Sequence, residues 1–411
     1  MPPDAQAVSG NSRTRRPIAY AWVAVLVLAA TVGWMFQTQF MWRYLALQDS
    51  DVLIFRQAAE AVRNGLPLYD LRFGEVGGWT WPPFGAVAVL PTLLVPLDLL
   101  LPASYAVSIA CLVVVVALCA RPLLDRAPDR TGRALALIGL TLLAIPLTPV
   151  ADTLGLGQIG LVLLLLVTLD LVVVARRAPR WHGVLIGVAT AVKVTPGLFV
   201  VHLLVTRQWR AAATAVGTTL ACWLLAAAVL WRDSADYWGR GLLLAVNDRV
   251  DGFGSWVYNQ SWMGLVDGLP APWPIVLWLL LSAATVVVAL IASARAHAAG
   301  DPVMVLGLVG LASVLVTPIA WHHHAVWVVP ALLAVVGDGR TRWRNAGAGV
   351  VAVLLMIPSR LPTLPPDRYV VEYVALLLLM LAVVRRGSRA PEGISASPSP
   401  REDRAAPGRP R

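Results

Sequence analysis

The chain has 411 residues, of which 58% are hydrophobic and only 14% are charged, and its mean hydropathy is +0.71. This composition excludes a water-soluble globular protein and is typical of polytopic membrane proteins. The formal net charge of +10 does not indicate a nucleic-acid binder, because the basic residues form short clusters at the ends of apolar runs. We therefore expect an all-α polytopic membrane protein.

The chain divides into three parts. Residues 1–16 are a basic N-terminus, residues 17–385 are a transmembrane domain, and residues 386–411 are a basic tail rich in Pro and Ser. Both termini are predicted to be cytoplasmic and the tail to be disordered, so the number of membrane crossings is even.

Twelve apolar runs are candidates for these crossings. They are residues 17–37, 84–101, 103–120, 134–150, 158–175, 182–205, 211–231, 272–294, 302–320, 324–337, 345–359 and 369–385. Twelve plain crossings place the Arg-rich loops 121–133 and 176–181 outside, against the positive-inside rule.

Two of the runs could remove this conflict if they do not cross the membrane. Run 84–101 is rich in proline, and run 182–205 is interrupted by Lys193 and Pro196, so either is a candidate for a broken or re-entrant element. We therefore predict ten to twelve crossings. The external face then receives loops 38–83, 232–271 and 360–368 and residues 320–324, and the polar chemistry concentrates there.

The first external loop contains a predicted amphipathic helix over residues 51–64. With residues placed 100° apart, Asp51 shares the apolar, inward face with Phe55 and Val62. One interpretation is that Asp49 caps this helix and that Asp51 only favours its positive N-terminal end. The other is that Asp51 lies in a cleft and acts as a general base.

Histidine and lysine supply further candidate site residues. Three adjacent residues, His322, His323 and His324, cannot share one helical face, which argues against a three-ligand metal site. They are either solvated at the membrane surface or donate hydrogen bonds to an anionic or sugar group. Lys193 needs an anion or a carbonyl partner within the membrane, and a phosphate suits it, unless the side chain reaches the surface by snorkelling.

Aromatic and amide residues gather in two external segments. GGWTWPPF, at residues 77–84, contains Trp81, and VYNQSWMG contains Asn259 and Gln260. Tryptophans are also normal at membrane interfaces, so this mixture by itself is only compatible with a sugar site.

Six segments in order carry a resemblance to a known family. They are DVLIF followed by NGLPLYD, TWPPF, GLGQIGLVLLLLVTLD, IGVATAVKVTPGLF with TRQWRA, YNQSW, and TPIAWHHHAVW. In this order they resemble glycosyltransferase family 87, polytopic enzymes of the GT-C fold, over most of residues 17–385. The family includes mannosyltransferases that use polyprenyl-phosphate-mannose.

The resemblance implies a role for several residues. The family's catalytic carboxylate falls on Asp51, its paired histidines fall on His323 and His324, and its membrane lysine falls on Lys193. His322 is an additional histidine beside the pair. The further positions that we assign to substrate binding are Gln158, Asn259, Gln260 and Trp81.

The activity implied is inverting transfer of mannose from polyprenyl-phosphate-mannose to a lipid-linked or polysaccharide mannoside, with an alpha-1,2 linkage. Transfer is expected on the external side of the plasma membrane, with Asp51 as general base and no cofactor. A divalent metal is not indicated.

Two alternatives stay open. One is transfer of arabinofuranose from a polyprenyl phosphate, and the other is transport or flipping of a glycolipid, which a buried lysine and broken spans also suit.

Overall fold

A computed structural model describes residues 50–71, 78–239, 259–357 and 368–387, together with the isolated positions Thr31 and Met35. Apart from those two positions, the predicted first crossing 17–37 lies outside the described residues, as do Asp49, residues 1–16 and residues 388–411. The described part of the chain is built from helices.

Sixteen α-helices are labelled in chain order. They are α1 Asp51–Asn64, α2 Pro83–Ala88, α3 Leu97–Cys119, α4 Arg130–Ala144, α5 Thr148–Gly155, α6 Gly160–Thr168, α7 Val184–Val192, α8 Leu198–Val205, α9 Trp209–Val229, α10 Trp231–Gly239, α11 Trp262–Val266, α12 Trp273–Ala298, α13 Pro302–Val316, α14 Val328–Val336, α15 Arg342–Leu355 and α16 Arg368–Gly387. A π-helical turn, Leu169–Val174, extends α6.

Only some of the described helices reach full membrane length. By length and composition α3, α9 and α12 are long and apolar enough to cross a membrane, and the pair α4 and α5, bent by 81°, is a fourth candidate. Several other predicted crossings are shorter or broken helices. The protein is therefore a polytopic bundle in which irregular backbone is common.

The described parts of three predicted external segments meet the start of α16 at one end of the bundle, here called the pocket end. Three contacts join them: the Leu68 N–H donates to Asp233 at 2.7 Å, the Gln260 N–H donates to the Ala320 carbonyl at 2.6 Å, and the His322 ring packs 4.8 Å from that of Tyr369. The polar loops thus form one surface.

Arginine-rich segments meet at the opposite end, here called the arginine end. The Arg126 guanidinium donates to the Asp338 carbonyl at 2.6 Å, which joins the loop after α3 to the loop after α14. At the end of α16, the Arg386 guanidinium lies 4.3 Å from the centre of the Trp343 ring. Basic residues and polar site residues are therefore separated along the bundle axis.

The prediction of two crossings at 84–101 and 103–120 is wrong. Residues 83–94 form α2 and a 3-10 turn, and a single long helix, α3, begins at Leu97. Pro96 occupies the N-cap of α3, because a proline lacks the N–H that a continuous helix would need at that point.

The predicted crossing 182–205 is a helical hairpin. α7 ends at Val192, the chain turns through residues 193–197, and α8 returns beside α7. The two ends of the hairpin meet, since His182 Nε2 lies 3.2 Å from Gln208 Oε1. His202 on α8 bonds Ser293 near the end of α12, which places the base of the hairpin at the arginine end.

The hairpin and the short segment 83–94 together resolve the topological conflict. Because neither of them forms a crossing, loops 121–133 and 176–181 both lie at the arginine end, as the charge rule requires. Only the tip of the hairpin, which carries Lys193, reaches the pocket end.

Small residues allow the hairpin to pack closely on α9. A Cβ atom added at Gly187 would lie 2.5 Å from the Ala215 carbonyl oxygen. Thr219 donates to the Gly187 carbonyl at 3.0 Å, and the Trp223 indole donates to the Ala191 carbonyl at 3.2 Å. Close approach and interhelical hydrogen bonds are the usual stabilising contacts of membrane helices.

Candidate active site

Helix α1 begins at the predicted catalytic base. α1 starts at Asp51, and Phe55 on its inward face is only 3% exposed. Ser50 occupies the N-cap position without a side-chain capping hydrogen bond. The inward orientation predicted for Asp51 is confirmed by its contact with the bundle.

That contact is made with the loop that follows α5. Gln158 Nε2 donates to the Asp51 Oδ2 at 2.6 Å, and the Val52 N–H donates to the Leu156 carbonyl at 3.2 Å. One backbone and one side-chain hydrogen bond therefore attach the start of α1 to residues 156–158.

Gly157 makes this attachment possible. Its φ of +66° is left-handed, and an added Cβ would lie 2.8 Å from the Val52 Cβ and 3.1 Å from the Ser104 hydroxyl. Glycine adopts this conformation without strain and leaves room for α1. The position of Gln158 thus depends on the residue before it.

The environment of Asp51 alters its acidity. Burial raises the pKa of this carboxyl from 3.8 to about 6, while the hydrogen bond from Gln158 and the charge of Lys193 partly oppose that rise. A carboxylate of this pKa is mostly ionised at neutral pH and is a stronger base than an exposed aspartate.

Lys193 lies at the tip of the α7–α8 hairpin. Its backbone is extended, with φ −144° and ψ 129°, so α7 ends there and the side chain projects into the pocket end. Pro196 prevents α7 from continuing as one helix. The side-chain Nζ lies 5.1 Å from the centre of the Trp81 ring, within cation–π range.

Trp81 forms a wall between the lysine and α1. Its ring lies 5.0 Å from that of Phe55 and 5.4 Å from that of Trp79, and its carbonyl accepts a hydrogen bond from the Tyr69 hydroxyl at 2.8 Å. The indole is held from several directions, so its face is a fixed surface beside Lys193.

The histidine run forms a 3-10 turn, His322–Ala325, after α13. His323 and His324 line the pocket, and their Nε2 and Nδ1 atoms respectively have no hydrogen-bond partner among the described residues. The Thr153 hydroxyl donates to the His323 carbonyl at 3.2 Å, which fixes the turn on α5. Two imidazoles beside the pocket thus each have one buried, unpaired ring nitrogen.

His322 points to the other side of the turn. Its Nδ1 lies 3.6 Å from the Asp152 Oδ2, and its ring packs edge-on against Tyr369. Within the described residues, no group of three or more His, Cys, Asp or Glu is placed to hold a metal ion. The three rings therefore do not converge.

Several of these residues line a pocket that, together with its open mouth, contains about 470 Å³ of empty space. Its polar lining consists of Gln158, Lys193, Thr195, Thr317, His323 and His324. Asp51 adjoins the pocket through its hydrogen bond to Gln158. A carboxylate at the rim and a cation with two imidazoles inside suit a reaction in which a proton is removed and an anion leaves.

Asn259 and Gln260 lie behind this pocket. The Asn259 amide donates to the Pro318 carbonyl at 2.8 Å and its oxygen accepts from the Ala320 N–H at 2.9 Å. They hold the segment before the histidine turn and are not among the residues that line the pocket. Their direct contact with substrate stays a prediction.

Some site residues were not predicted. Thr195 and Thr317 line the pocket, and Asp152 orients His322. Thr195 lies two residues after Lys193, at the predicted interruption of run 182–205. The position of that helix break could therefore have indicated Thr195 as a site residue. Asp152 carries no local signal, because its partner is 170 residues away in sequence.

A family model described as glycosyltransferase family 87 matches residues 79–318. The chain belongs to glycosyltransferase family 87. It is therefore a membrane glycosyltransferase of the GT-C class. The match includes Trp81, Gln158 and Lys193, whereas Asp51 precedes it and the histidine turn follows it.

Curated relatives of this family 87 chain extend the similarity. In Mycobacterium tuberculosis, the polyprenol-phosphate-mannose-dependent alpha-(1-2)-phosphatidylinositol mannoside mannosyltransferase is 30% identical over 342 residues, 77% of this chain and 78% of the relative. The protein of the same name in Mycolicibacterium smegmatis is 32% identical over 346 residues, 77% of this chain and 75% of the relative.

The name of a third relative specifies a different acceptor, a pentamannoside. The polyprenol-phosphate-mannose-dependent alpha-(1-2)-phosphatidylinositol pentamannoside mannosyltransferase of Mycobacterium tuberculosis is 33% identical over 345 residues, 80% of this chain and 76% of the relative. No solved structure matches this family 87 chain.

Proposed function

We propose that this chain transfers mannose from polyprenyl-phosphate-mannose to a lipid-linked or polysaccharide mannoside, forming an alpha-1,2 linkage with inversion at the anomeric carbon. The observation that carries the proposal is the pairing of Asp51 with Gln158 at the rim of a pocket that contains Lys193 and two unpaired imidazoles.

Asp51 is the general base in this proposal. As the acceptor oxygen attacks the anomeric carbon, its proton passes to the carboxylate of Asp51, and the new carbon–oxygen bond forms on the face opposite the phosphate. A carboxyl with a pKa of about 6 is ionised at neutral pH and holds the proton more strongly than an exposed aspartate.

Lys193, His323 and His324 stabilise the leaving group. The bond between the anomeric carbon and the phosphate oxygen breaks with its electron pair, so negative charge increases on the polyprenyl phosphate. Donors fixed in a pocket stabilise such charge more strongly than water does. The Trp81 face beside Lys193 offers a stacking surface for the sugar ring.

The names of the relatives support mannose as the transferred sugar. All three are polyprenol-phosphate-mannose-dependent enzymes, whereas arabinofuranose, the second candidate from the sequence, appears in none of their names. Membership of a glycosyltransferase family removes the ground for the transporter interpretation. Relatives with two acceptors leave the size of the mannoside acceptor open to test.

The distribution of charge supports an external active site in the plasma membrane. Segments rich in arginine lie at the end opposite the pocket, and positively charged loops face the cytoplasm in membrane proteins. The pocket then opens on the external side, where the predicted loops 38–83 and 232–271 lie.

A transfer assay tests the function. Purified protein in detergent is supplied with radiolabelled polyprenyl-phosphate-mannose and a series of phosphatidylinositol mannosides that differ in mannose number. We expect a labelled product whose linkage is alpha-1,2 by linkage analysis, and we expect Asp51→Asn to lose nearly all transfer.

Asp70→Asn is the matched control, because Asp70 is an exposed aspartate in the same external segment and we expect it to keep wild-type activity. An inert wild type, correctly folded and offered every acceptor, would overturn the proposed function. Equal activity in Asp51→Asn and Asp70→Asn would instead remove Asp51 as the base.

A further inference from the structure

Gln158 occupies a distinctive place among the described residues. Its side chain lines the pocket and also donates the hydrogen bond of 2.6 Å to the Asp51 Oδ2. It is 8% exposed, so this amide is held inside the protein. Gln158 therefore both lines the pocket and contacts the proposed base.

The chemistry of an amide suits this position. The NH₂ group of glutamine donates hydrogen bonds and carries no charge, so it orients a carboxylate without forming an ion pair that would strongly weaken the base. With Oδ2 occupied, Asp51 Oδ1 accepts no hydrogen bond from the described residues. One oxygen of the base is thus held and the other is available.

The backbone around Gln158 is also fixed. Its N–H donates to the Thr153 carbonyl at 2.9 Å, and the Thr153 hydroxyl donates to the His323 carbonyl at 3.2 Å. The left-handed Gly157 sets the direction of the loop. The predicted base and the histidine turn are consequently both hydrogen-bonded to the same short segment, residues 153–158.

We propose that Gln158 is the positioning residue of the base, holding the Oδ2 of Asp51 so that its Oδ1 faces the acceptor hydroxyl. Gln158 takes no proton itself and acts through Asp51. This inference rests on the proposed function, and it assigns Gln158 a task different from the substrate contact implied by the sequence.

Steady-state kinetics of Gln158→Leu test this role. Leucine has a similar size and cannot donate, so we expect kcat to fall about 10- to 100-fold, as for residues that orient a reacting group through a hydrogen bond. We expect KM for the mannosyl donor to change by less than about threefold. The acid limb of kcat/KM should move to higher pH, because the donor that favours the ionised carboxylate is gone.

Two further variants keep the test decisive. Gln158→Glu restores a donor toward Asp51 only where the two carboxyls share one proton. We therefore expect part of kcat to be recovered at intermediate pH, to be lost at low pH where Asp51 is protonated, and to fall again as pH rises and the two carboxylates repel. Gln57→Leu is the matched control, because Gln57 is an exposed glutamine on α1 and we expect it to behave as wild type.

The outcomes separate the two proposals. Active wild type, inactive Asp51→Asn and a Gln158→Leu variant with unchanged kcat and acid limb would overturn the positioning role while leaving the proposed function intact. A rise in the donor KM alone would make Gln158 a substrate contact. If Gln158→Leu does not fold, the pH response of Gln158→Glu still decides the question.

Discussion

The Nδ1 of His322 lies 3.6 Å from the Oδ2 of Asp152, and this contact turns the first ring of the histidine run away from the pocket that the next two rings line. Of three consecutive histidines, His322 thus contacts Asp152, whereas His323 and His324 line the pocket. The division leads to a direct comparison of variants.

Replacing each histidine separately should give two kinds of result. We expect His323→Ala and His324→Ala to lower kcat about 10- to 1,000-fold, since in the proposed mechanism each removes a group that stabilises the leaving phosphate. We expect His322→Asn to keep activity within about tenfold and to lower the stability of the fold by about 1–3 kcal/mol, since it weakens a buried polar contact. Transfer rates and thermal unfolding in detergent measure both effects.

Equal losses of kcat at all three positions, with unchanged stability of His322→Asn, would contradict this division. Asp152→Asn provides the complementary variant. It should reproduce the effect of His322→Asn, because it alters the other partner of the same contact.

Lys193 is the only lysine in the sequence, so an amine-selective acylating reagent can modify only this side chain and the N-terminal amine. We expect the reagent to inactivate the enzyme and polyprenyl-phosphate-mannose to slow inactivation. Lys193→Met should lower kcat about 100- to 1,000-fold, because the proposed mechanism places this cation beside the leaving phosphate.

Lys193→Arg is the matched control for this labelling. It keeps the charge and removes the reactive amine, so it should retain more activity than Lys193→Met and resist the reagent. Inactivation of Lys193→Arg at the wild-type rate would mean that the N-terminal amine, and not Lys193, is the sensitive group.

The raised pKa of Asp51 predicts the pH dependence of transfer. The base must be ionised, and the pKa of Asp51 is about 6, so kcat/KM should fall about tenfold per pH unit well below 6. Measurements in overlapping buffers, with unfolding monitored at each pH, distinguish titration from denaturation. A profile without an acid limb down to about pH 5 would contradict a base of this acidity.

Gly157→Ala should damage both stability and catalysis. The methyl group would lie 2.8 Å from Val52 in a left-handed backbone, so we expect a loss of stability above about 1 kcal/mol. Transfer should fall on the order of 100-fold because Gln158 and Asp51 move relative to each other.

Gly139→Ala is the control for that substitution. Gly139 lies within α4, where an added Cβ meets no atom within 4 Å, so stability should be unchanged or rise by about 0.5–1 kcal/mol. If both variants behaved alike, the close approach at Gly157 would not be holding α1.

Local patterns made part of this structure predictable. Helical spacing defined α1 and the inward direction of Asp51, because periodicity depends only on neighbours along the chain. Lys193 and Pro196 correctly marked a break in run 182–205, since proline removes a backbone donor. The prolines of run 84–101 also marked a break, although the start of α3 was placed six residues too late.

The remaining features depend on contacts between distant segments. The bond from Gln158 to Asp51 joins residues 107 positions apart, and neither residue carries a local signal of its partner. The contact between His182 and Gln208 shows that run 182–205 is a hairpin and not a crossing. A hydropathy profile cannot reveal this contact, because it reports only the local apolar character of the chain. The amide pattern at Asn259 suggested a sugar contact, whereas its hydrogen bonds go to the backbone of residues 318 and 320.

The hairpin also has a consequence for biogenesis. Taken alone, residues 182–205 are apolar enough to enter the bilayer as an ordinary span, yet both of their ends lie at one side. Helix α9 is synthesised afterwards and supplies Thr219 and Trp223 as donors to the α7 carbonyls. The contacts that hold the hairpin in place are therefore complete only after translation has passed α9.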